Sequence, residues 1–77
     1  MPCAYVLFSV SSGSEGLVKE EIGSIPEVQE VFVSYGVYDL VVKIKTASME
    51  QLKELVSHHL RKIPDVKSTL TLILVEE

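Results

Sequence analysis

Few side chains in this chain have the types and spacing of a catalytic or metal-binding set. His58 and His59 are adjacent, so on a helix they point about 100° apart and cannot chelate one ion together. We expect His59 to pack in an apolar helical stripe and His58 to face solvent. Cys3 has no second cysteine to pair with, which excludes an internal disulfide and a paired-thiol metal carrier. The sequence therefore predicts no catalytic residue, no metal site, no cofactor and no enzymatic activity.

The segment best suited to binding a small molecule is residues 34–40, Ser-Tyr-Gly-Val-Tyr-Asp-Leu. Gly36 permits a backbone conformation with positive φ, which lets main-chain N–H groups point into a cleft beside a strand end. Asp39 supplies a carboxylate for an ammonium group. These groups would bind a free amino acid, but the same residues also suit an ordinary hairpin turn. The residues alone leave both interpretations open.

The elements that would position this segment come in two similar halves. Residues 25–28 (Ile-Pro-Glu-Val) recur as residues 63–66 (Ile-Pro-Asp-Val). Each copy follows a helical pattern and leads into an apolar strand. Because the residue before a proline is disfavoured in the α region, each Ile-Pro pair marks a helix end. The repeat therefore predicts two βαβ units.

In the first half, residues 4–10 are rich in β-branched and aromatic side chains and predict a strand. The following helix is expected to be capped by Ser12 or Ser14, with Glu15 as the capping-box partner of Ser12. The second strand is predicted over residues 28–35. The apolar stripe of the helix would comprise Leu17, Val18, Ile22 and Ile25.

In the second half, residues 38–45 predict a third strand and residues 66–75 a fourth. Ser48 and Gln51 form a second capping box at the start of the helix between them. Apolar and aromatic positions recur at helical spacing along one face of that helix, at Leu52, Leu55, Val56, His59, Leu60 and Ile63.

Two right-handed βαβ units joined by a hairpin give a four-stranded antiparallel sheet with both helices on one face. The predicted fold class is therefore α+β, a ferredoxin-like βαββαβ sandwich, as a single domain over residues 1–77. Strands one and three are the most apolar, so we expect them to be central.

Two helices can cover only one face of such a sheet, and the strands do not alternate cleanly between apolar and polar residues. In strand one, Tyr5 and Leu7 oppose a second apolar set, and in strand four Leu70, Leu72 and Leu74 oppose Ile73 and Val75. A contiguous apolar patch on the uncovered face predicts pairing with another copy of the chain. The alternative is that these are strand-forming residues at a tolerated exposure.

Charge and composition exclude several partners. Seven Lys and Arg against eleven Asp and Glu give a net charge of −4, with the basic residues scattered, so we expect no direct binding to nucleic acid. The longest apolar runs are far below the roughly 20 residues that cross a bilayer, and no export signal is evident. These features predict a cytoplasmic protein without membrane contact.

At residues 36–42 the chain starts to resemble a known family. The Gly-x-Tyr-Asp turn, the Ile-Pro-Asp-Val at residues 63–66 and the Thr69-x-Thr71 pair follow one another as in the RAM domain of Lrp/AsnC feast/famine regulators. The resemblance covers essentially the whole chain. It implies a homodimer through the sheet faces, assembly into rings of eight or ten subunits, and amino-acid effectors bound between neighbouring dimers.

By position, the resemblance implies that the turn of Gly36, Val37, Tyr38 and Asp39 binds the amino and carboxylate groups of the effector. Thr69 and Thr71 would line the pocket, and Ser34 and Tyr35 would form its wall. Those regulators carry an N-terminal helix-turn-helix domain, whereas the first strand here starts near residue 4. The expectation is a stand-alone member that acts by sensing, or by mixed assembly with a full-length Lrp/AsnC regulator.

Three other interpretations remain. The chain could be a purely structural assembly module that binds nothing, or a regulatory domain of the ACT type, which has a similar topology and binds amino acids. A small enzyme of the dimeric ferredoxin-like barrel type is the third, although no base, nucleophile or cofactor ligand set is visible.

Overall fold

In the computed structural model, which describes residues 2–74, four strands form one antiparallel sheet and two helical segments cover one of its faces. The elements in chain order are β1 (Cys3–Val10), α1 (Glu15–Gly23), β2 (Val28–Val33), β3 (Leu40–Lys45), α2 (Met49–Glu54), a π-helical turn (Leu55–His59), a 3-10 turn (Leu60–Lys62) and β4 (Val66–Leu74). The strand order is β2-β3-β1-β4, so β1 and β3 are central, as the sequence predicted. The ferredoxin-like βαββαβ arrangement is confirmed.

The core lies between the sheet and the helices. Every second residue of β1 and β3 points towards the helices, and each helical segment packs a stripe of aliphatic side chains against the sheet. The buried apolar residues are Ala4, Val6, Phe8, Val10, Val18, Ile22, Ile25, Leu40, Val42, Ile44, Leu52, Val56, Leu60 and Ile63. No edge strand contributes to this set among the described residues, which leaves β2 and β4 with larger exposed fractions.

The first helix differs from the prediction at its start and on its face. Ser14 is the N-cap residue, but it makes no side-chain capping hydrogen bond, and the expected pairing of Ser12 with Glu15 is wrong. Leu17 is 70% exposed, because only Val18 and Ile22, one turn apart, face the sheet. The apolar stripe is therefore narrower than the sequence suggested.

The second helix begins as predicted but does not continue as a regular α-helix. The Gln51 N–H donates to the Ser48 hydroxyl oxygen (3.2 Å) and the Gln51 side-chain oxygen accepts from the Ala47 N–H (3.1 Å). The π-helical turn then closes hydrogen bonds over five residues instead of four, which rotates the buried face. His59 is consequently exposed, so its predicted packing in the apolar stripe is wrong.

The repeated Ile-Pro motif forms two matched turns. The Val28 N–H donates to the Ile25 carbonyl (3.0 Å), and the Val66 N–H donates to the Ile63 carbonyl (3.3 Å). The backbone carbonyl of the third residue of each turn also accepts a hydrogen bond from the other half of the chain. The Lys45 N–H donates to the Glu27 carbonyl (3.0 Å), and the Ser11 N–H donates to the Asp65 carbonyl (2.8 Å). The two turns thus join the halves of the sheet.

Only the second of these turns places a side chain in the left-handed region, since Asp65 has a φ of 72°. We expect Asp65→Gly to raise the free energy of unfolding by about 1 kcal/mol, because glycine adopts this conformation without the steric cost. Urea unfolding followed by circular dichroism measures the change. Glu27→Gly is the matched control, and it should lower stability, because Glu27 has no such strain to relieve. Equal shifts for both variants would contradict the argument.

The strand boundaries around residues 34–39 differ from the prediction. β2 ends at Val33 instead of residue 35, and β3 begins at Leu40 instead of residue 38, so a six-residue loop replaces the tight hairpin. At the other end of the chain, the predicted final strand residue, Val75, lies outside the described residues.

Candidate functional site

The face of the sheet opposite the helices is apolar over most of its width. Strand pairing places Leu70 and Leu72 beside Leu7 and Tyr5, and Val41 lies between Leu7 and Phe32. Alternate residues of β1 are buried under the helices, so Tyr5 and Leu7 point to the opposite face of the sheet. The residues that pair with them point to that face too. The open face is defined by its apolar residues Tyr5, Leu7, Phe32, Val41, Leu70, Leu72 and Leu74.

Several of these side chains are far from fully covered. Phe32 is 52% exposed, and Leu72, at 47%, is the most exposed of the three β4 leucines. Among the described strand residues, charged side chains lie towards one end of this face, where Lys43 pairs with both Tyr5 and Glu30, and Lys45 pairs with Cys3. Of the two sets weighed from the sequence, it is the β4 leucines, together with Tyr5 and Leu7, that occupy the uncovered face. A contiguous apolar surface of this kind is typical of an interaction site.

The loop of residues 34–39 presents its tip to solvent and anchors its base to the sheet. Tyr35 and Val37 are 98% and 85% exposed, and Gly36 has a φ of 154°, which side chains rarely adopt. At the base, the Ser34 N–H donates to the Asp39 carbonyl (2.8 Å) and the Asp39 N–H donates to the Phe8 carbonyl (2.7 Å). The tip is therefore free to contact another molecule while its base is fixed.

The carboxylate of Asp39 has a structural contact that the sequence did not reveal. Its Oδ2 accepts a hydrogen bond from the Val10 N–H at 2.9 Å, at the end of β1. Together with the backbone bond to Phe8, this contact holds the loop to β1. One carboxylate oxygen of Asp39 thus accepts a hydrogen bond from within the chain.

A cleft of about 260 Å³ lies beside this loop and is lined by Glu15, Val33, Ser34, Tyr35 and Asp39. Three of the predicted ligand-binding residues, Ser34, Tyr35 and Asp39, are therefore brought together. Gly36 and Val37 belong to the exposed tip, and Tyr38 is half-buried. Sequence reasoning did not identify Glu15 as a wall residue, because it was assigned only to helix capping.

The two predicted threonines lie elsewhere in the same chain. Thr71 lines a cleft of about 270 Å³ between β4 and the second helical segment, named here the β4 cleft. Thr69 lines a smaller neighbouring cleft of about 240 Å³, and Arg61 lines both. Thr69 and Leu40, the residue after Asp39, both pair with Phe8, so β1 separates them by roughly 10 Å, two interstrand spacings. One chain therefore does not unite the loop and the threonines in a single cleft.

The hydroxyl of Thr71 is shut off from solvent and has no hydrogen-bond partner within residues 2–74. The pairing of Thr71 with the buried Val6 turns its side chain towards the helices. A buried hydroxyl without a hydrogen-bond partner lowers stability. A rotation about the Cα–Cβ bond would exchange the hydroxyl and the methyl group, which are of similar size.

We expect Thr71→Val to raise the free energy of unfolding by about 1–2 kcal/mol, because valine has the same shape without the unpaired hydroxyl. Chemical denaturation measures the change. Thr69→Val serves as the control, since the Thr69 hydroxyl is not among the buried unpaired groups. A loss of stability in Thr71→Val would mean that the hydroxyl has a partner in solution.

Other candidate chemistry is sparse in the described part of the chain. His58 and His59 line a shallow cleft with Glu27, Gln51 and Glu54. Within residues 2–74, no group of three or more His, Cys, Asp or Glu side chains is arranged to hold a metal ion. Across the same residues, each helix is too short or too polar to traverse a bilayer.

Comparison with known proteins assigns the chain to a family. The model of the Lrp/AsnC ligand-binding domain matches residues 3–77. The chain belongs to the Lrp/AsnC ligand-binding domain family. The HTH-type transcriptional regulator FL11 of Pyrococcus horikoshii is 34% identical over 95% of this chain and 48% of its own length. The chain thus spans about half the length of the curated Lrp/AsnC relatives it matches.

Solved structures agree with this assignment. A hypothetical protein from Pyrococcus horikoshii, PHS023, is 36% identical, with a TM-score of 0.93 over 100% of this chain and 93% of that one. A transcriptional regulator from Neisseria meningitidis, solved as a complex with L-Met, has a TM-score of 0.83 over 99% of this chain and 51% of its own. That protein is 17% identical to this chain, so the likeness shows a shared fold alone.

Proposed function

We propose that the chain is an amino-acid-binding and oligomerisation domain that serves transcriptional control. The observation that carries the proposal is the apolar open face, which a lone subunit leaves in water. Its family supplies the regulatory context, since FL11 is a transcriptional regulator. An intracellular site of action in the cytoplasm accords with that role.

The open face would pair with the open face of a second copy. Leucine side chains from β4 and the aromatic rings of Tyr5 and Phe32 would interdigitate across a two-fold axis, and each contact would occur twice. A domain of 77 residues gains little stability from its own core, so burial of this face would also support the fold. Dimers would in turn assemble into rings of eight or ten subunits.

The effector site would be completed only by assembly. The loop of residues 34–39 and the Thr69–Thr71 stretch line separate clefts in one chain, so a single amino acid meets both only where two subunits adjoin. The exposed tip at Tyr35 and Val37 is suited to reach a neighbouring subunit. The free oxygen of Asp39 would bind the ammonium group, and backbone N–H groups near Gly36 the carboxylate.

Regulation would follow from coupling between effector and assembly. An effector that bridges subunits binds the assembled state more tightly, and therefore shifts the population towards that state. The readout would run through such a change in assembly, or through mixed assembly with a full-length Lrp/AsnC regulator.

Titration calorimetry against the twenty amino acids, combined with light scattering, tests the proposal. We expect at least one amino acid to bind with one site per subunit and to shift the distribution of assembly sizes. Binding to a stable monomer with no change in size would exclude an effector site formed between subunits.

A purely structural assembly module is the second candidate. The internal bond from Val10 to the Asp39 carboxylate favours it, because this bond gives Asp39 a role without any ligand. In that case none of the twenty amino acids would give a heat of binding, while the oligomer would persist.

A further inference from the structure

The smaller of the two neighbouring clefts on β4 has a lining unlike that of the cleft beside residues 34–39. It measures about 240 Å³ and is named here the Lys67 cleft; its lining residues are Arg61, Val66, Lys67, Ser68 and Thr69. Among residues 2–74, no acidic side chain lines it, whereas Glu15 and Asp39 both line the cleft beside the loop. The Lys67 cleft therefore combines positive charge with hydroxyl groups.

The backbone of β4 is irregular at the point where this cleft lies. Ser9 pairs with Ser68 and Val10 pairs with Val66, so Lys67 has no partner on β1. An extra residue of this kind forms a β-bulge, which bends the strand and redirects its side chains. In a regular strand Val66 and Lys67 would point to opposite faces, but at the bulge both line one cleft. Bulges are over-represented at sheet edges and beside functional sites, and β4 is an edge strand.

The second cation reaches the cleft from a different element. Arg61 belongs to the 3-10 turn, Leu60–Lys62, which lies against β4. Its guanidinium offers several N–H groups in a planar fork that matches two oxygens of one anion, whereas the Lys67 ammonium acts as a point charge. Two cations from separate elements thus line one small cleft.

The segment around the cleft is basic, although the chain as a whole is acidic. Three of the seven Lys and Arg residues lie within residues 61–67, where Asp65 is the one acid, and Asp65 does not line the cleft. The net charge of the chain is −4, so the rest of the surface repels a long polyanion. A small anion responds mainly to the nearby cations, because charges beyond about 10 Å are screened by salt. Charge therefore favours a small ligand over nucleic acid.

We propose that the Lys67 cleft binds the phosphate group of a small phosphorylated metabolite. Arg61 binds two oxygens of the phosphate and Lys67 the third, so that two positive charges meet two negative ones. Thr69 pairs with the buried Phe8 and is half-buried, which turns its hydroxyl towards the helical side as a further donor. A carboxylate, with one charge and two oxygens, leaves one of the two cations unpaired.

This site goes beyond the proposed function. Neither the open face nor the loop of residues 34–39 takes part in it, and Thr69 is the one residue that it shares with the predicted amino-acid site. A phosphorylated metabolite is therefore a second ligand of the chain, and its binding does not depend on an amino acid.

The test is an NMR titration of the isotope-labelled full chain with glycerol 2-phosphate, sulfate and acetate at constant ionic strength. We expect glycerol 2-phosphate to shift the backbone amide signals of residues 66–69 and the guanidinium signal of Arg61. Acetate should bind at least about fivefold more weakly, because it offers one negative charge instead of two. Equal shifts with all three anions would mean an adventitious ion only, and would overturn the inference.

The pH dependence of the ligand gives an independent check. A phosphate monoester has a second pKa of about 6, so it loses most of its second charge between about pH 7.5 and about pH 5.5, whereas sulfate keeps both charges. The affinity for glycerol 2-phosphate relative to sulfate should fall by about three- to fourfold over this range. His58 and His59, which line a different cleft, gain charge over the same range but affect both anions alike. A constant ratio would contradict selection of the phosphate dianion.

Variants of three cations separate the cleft from general charge. Arg61→Gln and Lys67→Gln are each expected to weaken glycerol 2-phosphate binding by about five- to tenfold, a moderate loss because both side chains are exposed. The matched control, Lys62→Gln, removes the same charge from a residue outside the cleft lining and should change affinity less than about twofold. Equal effects of the three variants would overturn the inference, since net charge alone would then explain the loss.

Two further outcomes distinguish this site from other uses of the same residues. Phosphate-induced shifts confined to residues 34–39 would overturn the inference and leave the proposed function intact. If a DNA duplex shifts the signals of residues 66–69 while glycerol 2-phosphate does not, the cations bind a nucleic-acid backbone and the inference is wrong.

Discussion

Replacing Leu72 with glutamate is expected to prevent the proposed dimer from forming and to leave the chain as a monomer. Leu72 lies on the open face beside Tyr5 and is 47% exposed, so in a face-to-face dimer it would be covered. The two-fold symmetry of the proposed dimer would place two new carboxylates in the interface, and each would cost several kcal/mol to desolvate. The dimer dissociation constant should rise by about 1000-fold or more, which sedimentation velocity at micromolar concentration measures.

Leu17→Glu is the matched control for this experiment. It makes the same chemical change at a leucine that is 70% exposed on α1, on the opposite side of the molecule from the open face. We expect this variant to remain dimeric. If the unsubstituted chain already sediments as a monomer, or if Leu72→Glu keeps the original size, pairing through the open face is wrong.

Replacing Asp39 with alanine is expected to lower the free energy of unfolding by about 1.5–3 kcal/mol. The loss arises because the Val10 N–H, at the end of β1, loses a charged acceptor in a part-buried position. Thermal or urea unfolding measures the change. An Asp39→Ala chain as stable as the original would show that the contact with Val10 contributes nothing in solution.

Asp39→Asn separates the structural role of this residue from its proposed binding role. The amide oxygen still accepts from the Val10 N–H, so we expect the loss of stability to stay below about 1 kcal/mol. The negative charge is removed, so amino-acid affinity should fall by about tenfold or more, as for other charge-assisted contacts. Unchanged affinity in Asp39→Asn would favour the structural assembly module.

The sheet and its uncovered face were predictable because they depend on simple periodicities. Successive residues of a strand point to opposite faces of the sheet, and β1 and β4 have apolar residues at both odd and even positions. Each face of the sheet must therefore present apolar side chains, whichever face the helices cover. The Ile-Pro repeat marked both helix ends correctly. What it did not reveal is the different conformation of the two turns, since Asp65 is left-handed and Glu27 is not.

Two predictions about which helical residues face the sheet were wrong. The exposure of His59 follows from the π-helical turn, which a 3.6-residue period cannot anticipate. The exposure of Leu17 follows from a helix of only nine residues that contacts the sheet through one narrow stripe. In both cases the residue assigned to the buried face of the helix directly precedes a residue that is buried there.

The candidate site was only partly visible in the sequence, because its residues come together through the sheet order. The family motif identifies the loop of residues 34–39 and the two threonines, but their separation by β1 depends on strand pairing. Arg61 has no motif of its own. Its proximity to Thr69 and Thr71 appears only once the 3-10 turn is placed beside β4.

The strand order has a consequence for cooperativity. Neither half of the repeat contains two adjacent strands, because β1 lies between β3 and β4, and β2 is bonded only to β3. A folding intermediate made from one half would therefore have no paired strands, and we expect the unfolding transition to be all-or-none. If unfolding is all-or-none, the free energy of binding a metabolite at either cleft adds to the free energy of unfolding of the entire chain. Segments that do not contact the metabolite are then stabilised as well.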